Sequence, residues 1–172
     1  MSEYWIFSTP LGDAALVANQ KGICQVLLPG WSRERMAAFI GRHFPSAKAG
    51  AEPAPTEIRS AMAFVVKSLM GPVEKPAARL DLSGLTGFQK KVLAATARIQ
   101  RGQIRSYGEV AAEAGNPRAV RAAAQALARN PVPLFIPCHR VVGKDGSLTG
   151  FSAPGGVNLK KYLLNLERAR SK

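Results

Sequence analysis

The stretch Ser106–Asn130, "SYGEVAAEAGNPRAVRAAAQALARN", decides how the second half of this chain folds. Ser106-x-x-Glu109 has the form of a capping box, in which hydroxyl and carboxylate satisfy the free N–H groups at a helix start. The helix it opens is short, because Gly115 suits the left-handed residue that closes helices. Asn116-Pro117 then supplies an N-cap and a proline at the first helical position, so a second helix is expected from there to about Arg129. Two short helices across a glycine-containing turn make a helix-turn-helix. On the second helix Arg118, Arg121, Gln125 and Arg129 form one polar stripe, and the remaining positions are nearly all alanine. A slim helix with outward arginines suits a surface that lies against duplex DNA. A solvated face on an alanine-rich core helix has the same pattern.

Working outward, Thr86-x-x-Gln89 is another capping box, with the apolar face Phe88, Val92, Ala95, Ile99 behind it and Gly102 as its end. Downstream, "VPLFI" reads as a short buried strand and "GKDGSLTGF" as a hairpin-like turn. Asn158 to Arg168 reads as a final helix with Leu159, Leu163 and Leu166 inward. The expected C-terminal domain, residues 81–172, is mostly α and winged helix-turn-helix-like. The first half differs in texture. Tyr4 to Leu28 reads as three short strands separated by Pro-Leu-Gly and Gln-Lys-Gly turns, an antiparallel meander. Ser32 opens a helix with Met36, Phe39, Ile40 and His43 on one face, and "SAKAGAEPAP" is a loop. A second helix spans Thr56 to Met70, and "PVEKPAARLDLSGL" is a linker. The expected N-terminal domain, residues 1–80, is an α/β unit on a small antiparallel sheet.

Charge narrows the function. The chain has 172 residues, enough for one or two domains, and a formal net charge of +13. Residues 86–172 hold 15 Lys/Arg against 4 Asp/Glu, whereas residues 1–85 hold 9 against 7. The second half therefore faces a polyanion, and nucleic acid is favoured over a surface that is basic for solubility alone. No apolar run approaches the roughly 18 residues of a membrane span. "MSEYWIFSTPLG" lacks the basic start and apolar core of an export signal, so a cytoplasmic protein without a membrane partner is expected. Cys24 and Cys138 are expected to be reduced, and with His43 and His139 the only histidines, no metal-ligand spacing is present.

The chemistry is expected in Asn130–Gly143, "NPVPLFIPCHRVVG". A free thiol of pKa ~8.5 is only about 3% ionised at neutral pH, and the thiolate is the nucleophile. Neighbouring positive charge or an imidazole is expected to lower that pKa, and Cys138-His139-Arg140 brings both. Neighbours in extended chain point opposite ways, so His139 would act on Cys138 through a water. Glu167, one of the four acids of this half, is the candidate that holds the His139 tautomer. The plainer alternatives are a packed small cysteine, a hydrogen-bonded core histidine and an exposed helix glutamate.

"IPCHRVVG", preceded by Asn130-Pro131 and followed by "GSLTGF", resembles the active-site signature of the O6-alkylguanine-DNA alkyltransferases, also called methylated-DNA-protein-cysteine methyltransferases. "TGFQKKVLAATARIQRGQIRSYGEVAAEAGNPRAVRAAAQALARNP" follows the same family, so the likeness covers about Thr86 to Glu167. The resemblance implies DNA repair by transfer of an alkyl group from O6-alkylguanine in double-stranded DNA to Cys138, in one turnover and without a cofactor. It implies a helix-turn-helix in the minor groove and a guanine flipped into a pocket beside the cysteine. Arg121 matches an arginine finger that fills the gap in the base stack. Tyr107 matches a residue that helps rotate the flipped nucleotide's phosphate, and Asn130 a hinge. His139 and Glu167 match a relay through water, while Pro133, Val141, Phe151 and Ser152 match the pocket lining. Arg118, Gln125 and Arg129 complete the expected DNA-binding face. A monomer is expected, with cooperative assembly along DNA left open. Ala124 stands where a glycine is frequent, and Phe151 lacks the phenol many members carry. The rival readings are a non-catalytic DNA binder, disfavoured because the cysteine is kept, and a cysteine hydrolase, which leaves the basic half unexplained.

Overall fold

The computed structural model describes residues 1–168 and divides the chain into two compact units, Met1–Leu82 and Ser83–Lys172. In the first, β1 (Glu3–Thr9), β2 (Gly12–Asn19) and β3 (Gly22–Leu27) form the antiparallel meander expected from the turn residues. Gly22 adopts φ +139, and a Cβ there would lie 2.3 Å from the Arg79 carbonyl oxygen, so both conformation and close approach require glycine. Ser32 caps α1 (Arg33–His43) by accepting from the Arg35 N–H. Met36 and Ile40 of α1 pack on Ala15, Val17 and Leu27, which share one face of the sheet. α2 (Thr56–Ser68) lies against β1 and buries Ile58, Ala61, Phe64 and Val65.

Three expectations fail here. The segment read as a loop contains β4 (Lys48–Ala49), which pairs in parallel with Glu3 and Tyr4, so the sheet is mixed, in the order β3-β2-β1-β4. The segment read as a linker ends pinned to β3, with the Ile23 N–H donating to Arg79 O at 2.8 Å and the Asp81 N–H to Ile23 O at 2.8 Å. Both pairings join residues far apart in sequence, satisfying backbone groups that no local pattern reveals. His43, expected on the apolar face of α1, is exposed.

The second unit is mostly helical. α3 (Gly87–Ala97) starts at the Thr86/Gln89 capping box and buries Val92, Leu93, Ala95 and Thr96. α4 (Tyr107–Glu113) starts at the Ser106/Glu109 box, and α5 (Val120–Ala128) follows across a turn. The three helices pack on one another. The unit's only strands among the described residues, β5 (Arg105–Ser106) and β6 (Val141–Val142), form a two-residue parallel pair rather than a hairpin wing. α6 (Gly156–Arg168) buries Leu159, Lys160, Leu163 and Leu164. No helix among the described residues is long and apolar enough to cross a membrane.

α5 begins three residues later than Asn116-Pro117 suggested. The Asn116 side chain accepts from the Arg118 N–H at 3.2 Å and its carbonyl from the Ala119 N–H at 3.0 Å, closing a turn that postpones the helix. Arg118 therefore sits in the turn, and Arg129 at the C-cap, rather than both on the helix body.

Candidate active site

"VPLFI" is not a strand. Val132 to Ile136 fold into a buried turn, with the Ile136 N–H donating to Val132 O at 3.0 Å and Leu134 at φ +71. A left-handed leucine is costly and persists only when its surroundings over-determine it. Asn130 does so: its side chain accepts from the Val132 N–H at 3.1 Å and donates to Ile136 O at 2.9 Å, tying both ends of the turn. The Cys138 N–H then donates to the same Ile136 carbonyl at 2.8 Å, and Cys138–Arg140 form a single 3₁₀ turn instead of extended chain.

This turn delivers the Cys138 thiol, 8% exposed, to the wall of a cavity of about 420 Å³. Tyr107 from α4, Arg121 and Gln125 from α5, and Phe151 and Ser152 from the loop before α6 share that wall. So do Ala124, Leu127 and Ala128, small or apolar residues of α5 that the sequence did not single out as lining. Pro133 and Val141, expected as lining, are buried and are not among the residues that line this cavity. Arg118 and Arg129 are exposed beside α5 but do not line it.

Behind the thiol lies a charged cluster. His139, 3% exposed, has Nε2 2.8 Å from Glu167 Oε1. Arg140 clasps the same carboxylate through Nε at 3.0 Å and Nη2 at 2.8 Å, and donates through Nη1 to Ile99 O at 2.6 Å. Burial alone would raise the Glu167 pKa, but the hydrogen bonds from His139 and Arg140 and the Arg140 charge overcome it and hold the carboxyl at about 2. An ionised carboxylate only accepts, so His139 Nε2 carries the hydrogen. Burial lowers the His139 pKa despite the opposing pull of Glu167, so the ring is neutral and Nδ1 bears the lone pair. Nδ1 is buried and has no hydrogen-bond partner among the described residues. Arg140 escaped sequence reading as a partner of Glu167, although it stands next to His139.

The thiol itself departs from expectation. Burial pushes the Cys138 pKa above its ordinary value, and the hydrogen bond from Asn130 and the charge of Lys160 only oppose that rise. Desolvation of the anion outweighs the neighbouring cation. Lys160 was also missed. Fully buried on α6, its Nζ donates to Thr149 O at 3.0 Å and to Tyr107 Oη at 3.4 Å. Tyr107 Oη in turn donates to Thr149 O at 2.8 Å, and burial raises its pKa, keeping the phenol neutral. Gly150 beside it sits at φ +56 with its Cβ position 3.7 Å from that hydroxyl. Cys24, in the first unit, is a free thiol that donates to Val17 O at 3.4 Å and is pushed up to about 11 by burial.

A family model described as "6-O-methylguanine DNA methyltransferase, DNA binding domain" matches residues 87–169. The methylated-DNA–protein-cysteine methyltransferase of Methanosarcina barkeri is 35% identical over 167 residues, 95% of this chain and 96% of that protein. This chain belongs to the methylated-DNA–protein-cysteine methyltransferase family. The constitutive methylated-DNA–protein-cysteine methyltransferase of Bacillus subtilis is 52% identical over 83 residues, so the match spans about half of either chain, 48% of this one and 50% of the relative. Among solved structures, Mycobacterium tuberculosis OGT in complex with DNA superposes with a TM-score of 0.78 at 31% identity, covering 98% of this chain and 94% of that one. The methyltransferase likeness thus extends over both units, beyond the Thr86–Glu167 segment whose sequence carried it.

Proposed function

We propose that this protein repairs O6-alkylguanine in double-stranded DNA by moving the alkyl group to its own Cys138. The observation that carries the reading is the thiol on the wall of the 420 Å³ cavity, shared with Tyr107, Arg121 and Phe151 and backed by the His139–Glu167 pair. A duplex base cannot reach a recessed thiol, so the lesion must leave the stack, with Arg121 taking its place and the exposed Arg118, Gln125 and Arg129 holding the strand. Tyr107, held by Thr149 and Lys160, presents a neutral phenol to the cavity that receives the extruded nucleotide. Phe151 and Ser152 supply an apolar wall and a hydroxyl.

The chemistry balances without any further reagent. The thiol proton leaves through water to His139 Nδ1, whose lone pair is fixed by the Nε2 bond to Glu167. The sulfur attacks the alkyl carbon, a carbon–sulfur bond forms as the carbon–oxygen bond breaks, and the electron pair leaves with guanine. The proton returns to guanine, restoring its neutral lactam. The resting thiol is neutral, which spares it from stray electrophiles until the cavity is filled. The thioether formed has no carbonyl for water to attack, so each molecule acts once. The first unit serves as scaffold, and the protein works as a monomer in the cytoplasm.

The test is intact-mass spectrometry after incubation with a duplex containing O6-methylguanine. One equivalent of protein should gain one CH2 unit, mapped to Cys138 and absent in Cys138→Ala. Unmodified protein that still binds the duplex would establish a lesion binder instead, and release of product in excess of protein would establish a turnover enzyme.

A further inference from the structure

The first unit carries a cleft that the alkyl-transfer chemistry does not use. It has a volume of about 290 Å³ and is lined by Trp31, Arg35, Ala38, Phe39, Arg42 and His43, all on or just before α1. Its aromatic rings are ordered against one another. Phe39 meets Trp31 edge-on at 5.6 Å, and His43 stacks on Phe39 at 4.0 Å with an interplanar angle of 23°. His43 Nδ1 lies 2.9 Å from Phe39 O, which fixes the ring's orientation. The Arg35 guanidinium stands 5.2 Å from the centre of the Trp31 ring.

The arginines differ in their partners. Arg33, on the same helix, is held by Asp13 at 2.6 Å, whereas neither Arg35 nor Arg42 has a carboxylate partner among the described residues. They stand two turns apart on one face, about 10.5 Å along the axis. Glu34, the only acid of α1, is engaged by the Ser32 side chain and remains ionised. Trp31 and Phe39 are partly buried and pack against the Ala15–Val17–Met36–Ile40 core. Large half-exposed rings between unpaired guanidiniums form the combination that recognises bases and phosphates together, since any base offers a face to stack and any phosphate accepts from a guanidinium. An acidic peptide would satisfy the arginines but leave the rings unused.

We propose that the α1 cleft binds single-stranded nucleic acid, one base stacking in the aromatic recess and flanking phosphates bonding Arg35 and Arg42. This site lies within the first unit and does not depend on the alkyl-transfer reading.

The chain contains two tryptophans, of which Trp5 is 4% exposed, so Trp31 is the emission that a bound base can reach. The full-length protein is titrated with undamaged oligothymidylate, oligouridylate and, as base-free and non-nucleotide controls, polyphosphate and polyglutamate. Oligothymidylate should quench the emission. The quench should disappear in Trp31→Phe, and its midpoint should move at least tenfold higher in Arg35→Ala/Arg42→Ala, whose replaced side chains are exposed and leave the fold intact. Comparison of thymidylate with uridylate identifies DNA or RNA as the source. Emission that does not respond to either oligonucleotide, an unchanged midpoint in the double variant, or equal quenching by polyphosphate or polyglutamate would overturn the proposal. Methyl transfer from free O6-methylguanine to Cys138, measured by mass on the same variants, should be unchanged and tests the other reading separately.

Discussion

Glu167→Gln isolates the charge that holds the cluster behind Cys138. The substitution keeps the shape but turns one acceptor oxygen into an NH2 donor and removes the anion facing His139 and Arg140. In the folded protein the carboxyl sits at about 2 against an ordinary 4.5. At 1.36 kcal/mol per pKa unit, the gap corresponds to about 3 kcal/mol of stability at neutral pH. The Glu167 side chain is only 12% exposed, so solvent screening takes little from that figure. A depressed carboxylate contributes in full above pH 4.5 and loses its contribution as pH falls toward 2. The difference between wild type and Glu167→Gln should therefore be about 3 kcal/mol at pH 7 and less than half of that at pH 3. Urea unfolding followed by far-ultraviolet circular dichroism at the two pH values measures both. The glutamine amide can also donate to His139 Nε2 and move the ring hydrogen to Nδ1, so alkyl transfer from free O6-methylguanine should slow roughly a hundredfold. A variant within about 0.5 kcal/mol of wild type at pH 7, or a difference that does not shrink in acid, would refute the assignment of Glu167 as the ionised anchor.

Three further outcomes are expected. The logarithm of affinity for undamaged duplex should fall linearly with the logarithm of salt concentration, and Arg118→Ala, Arg121→Ala and Arg129→Ala should each flatten the slope by about 0.9 for every phosphate left unneutralised. Gln125→Ala should leave the slope alone, and a slope unmoved by all three arginine variants would remove α5 from the DNA interface. Lys160→Met should raise the Cys138 pKa further, because the buried ammonium opposes the rise caused by burial; the pH profile of iodoacetamide alkylation should shift upward, and Lys160→Arg should restore part of it. Thr86→Ala should cost about 1 kcal/mol through loss of the α3 capping box, read as a lower urea midpoint with unchanged slope.

Local chemistry was legible in the sequence wherever one residue satisfies its near neighbours. Ser32, Thr86 with Gln89, and Ser106 with Glu109 cap helices as their spacing predicts, because a capping bond spans three residues and needs no distant partner. Asn116 shows the limit of that logic, since the same side chain can cap a helix or close a turn, and here it closes the turn. A signal for Lys160 was present: it shares the inward face of α6 with Leu163 and Leu164, and a lysine on an apolar stripe implies a buried partner. Residue order alone carries the family signature, the basic second half, the capped helices and the residue types gathered around Cys138. Long-range packing was needed to show that β4 and Leu80 join the first sheet's edges and that Asn130 ties the turn presenting Cys138. It alone decided the thiol's resting charge, because desolvation depends on every atom packed around the sulfur and the neighbouring cation in sequence accounts for little of it.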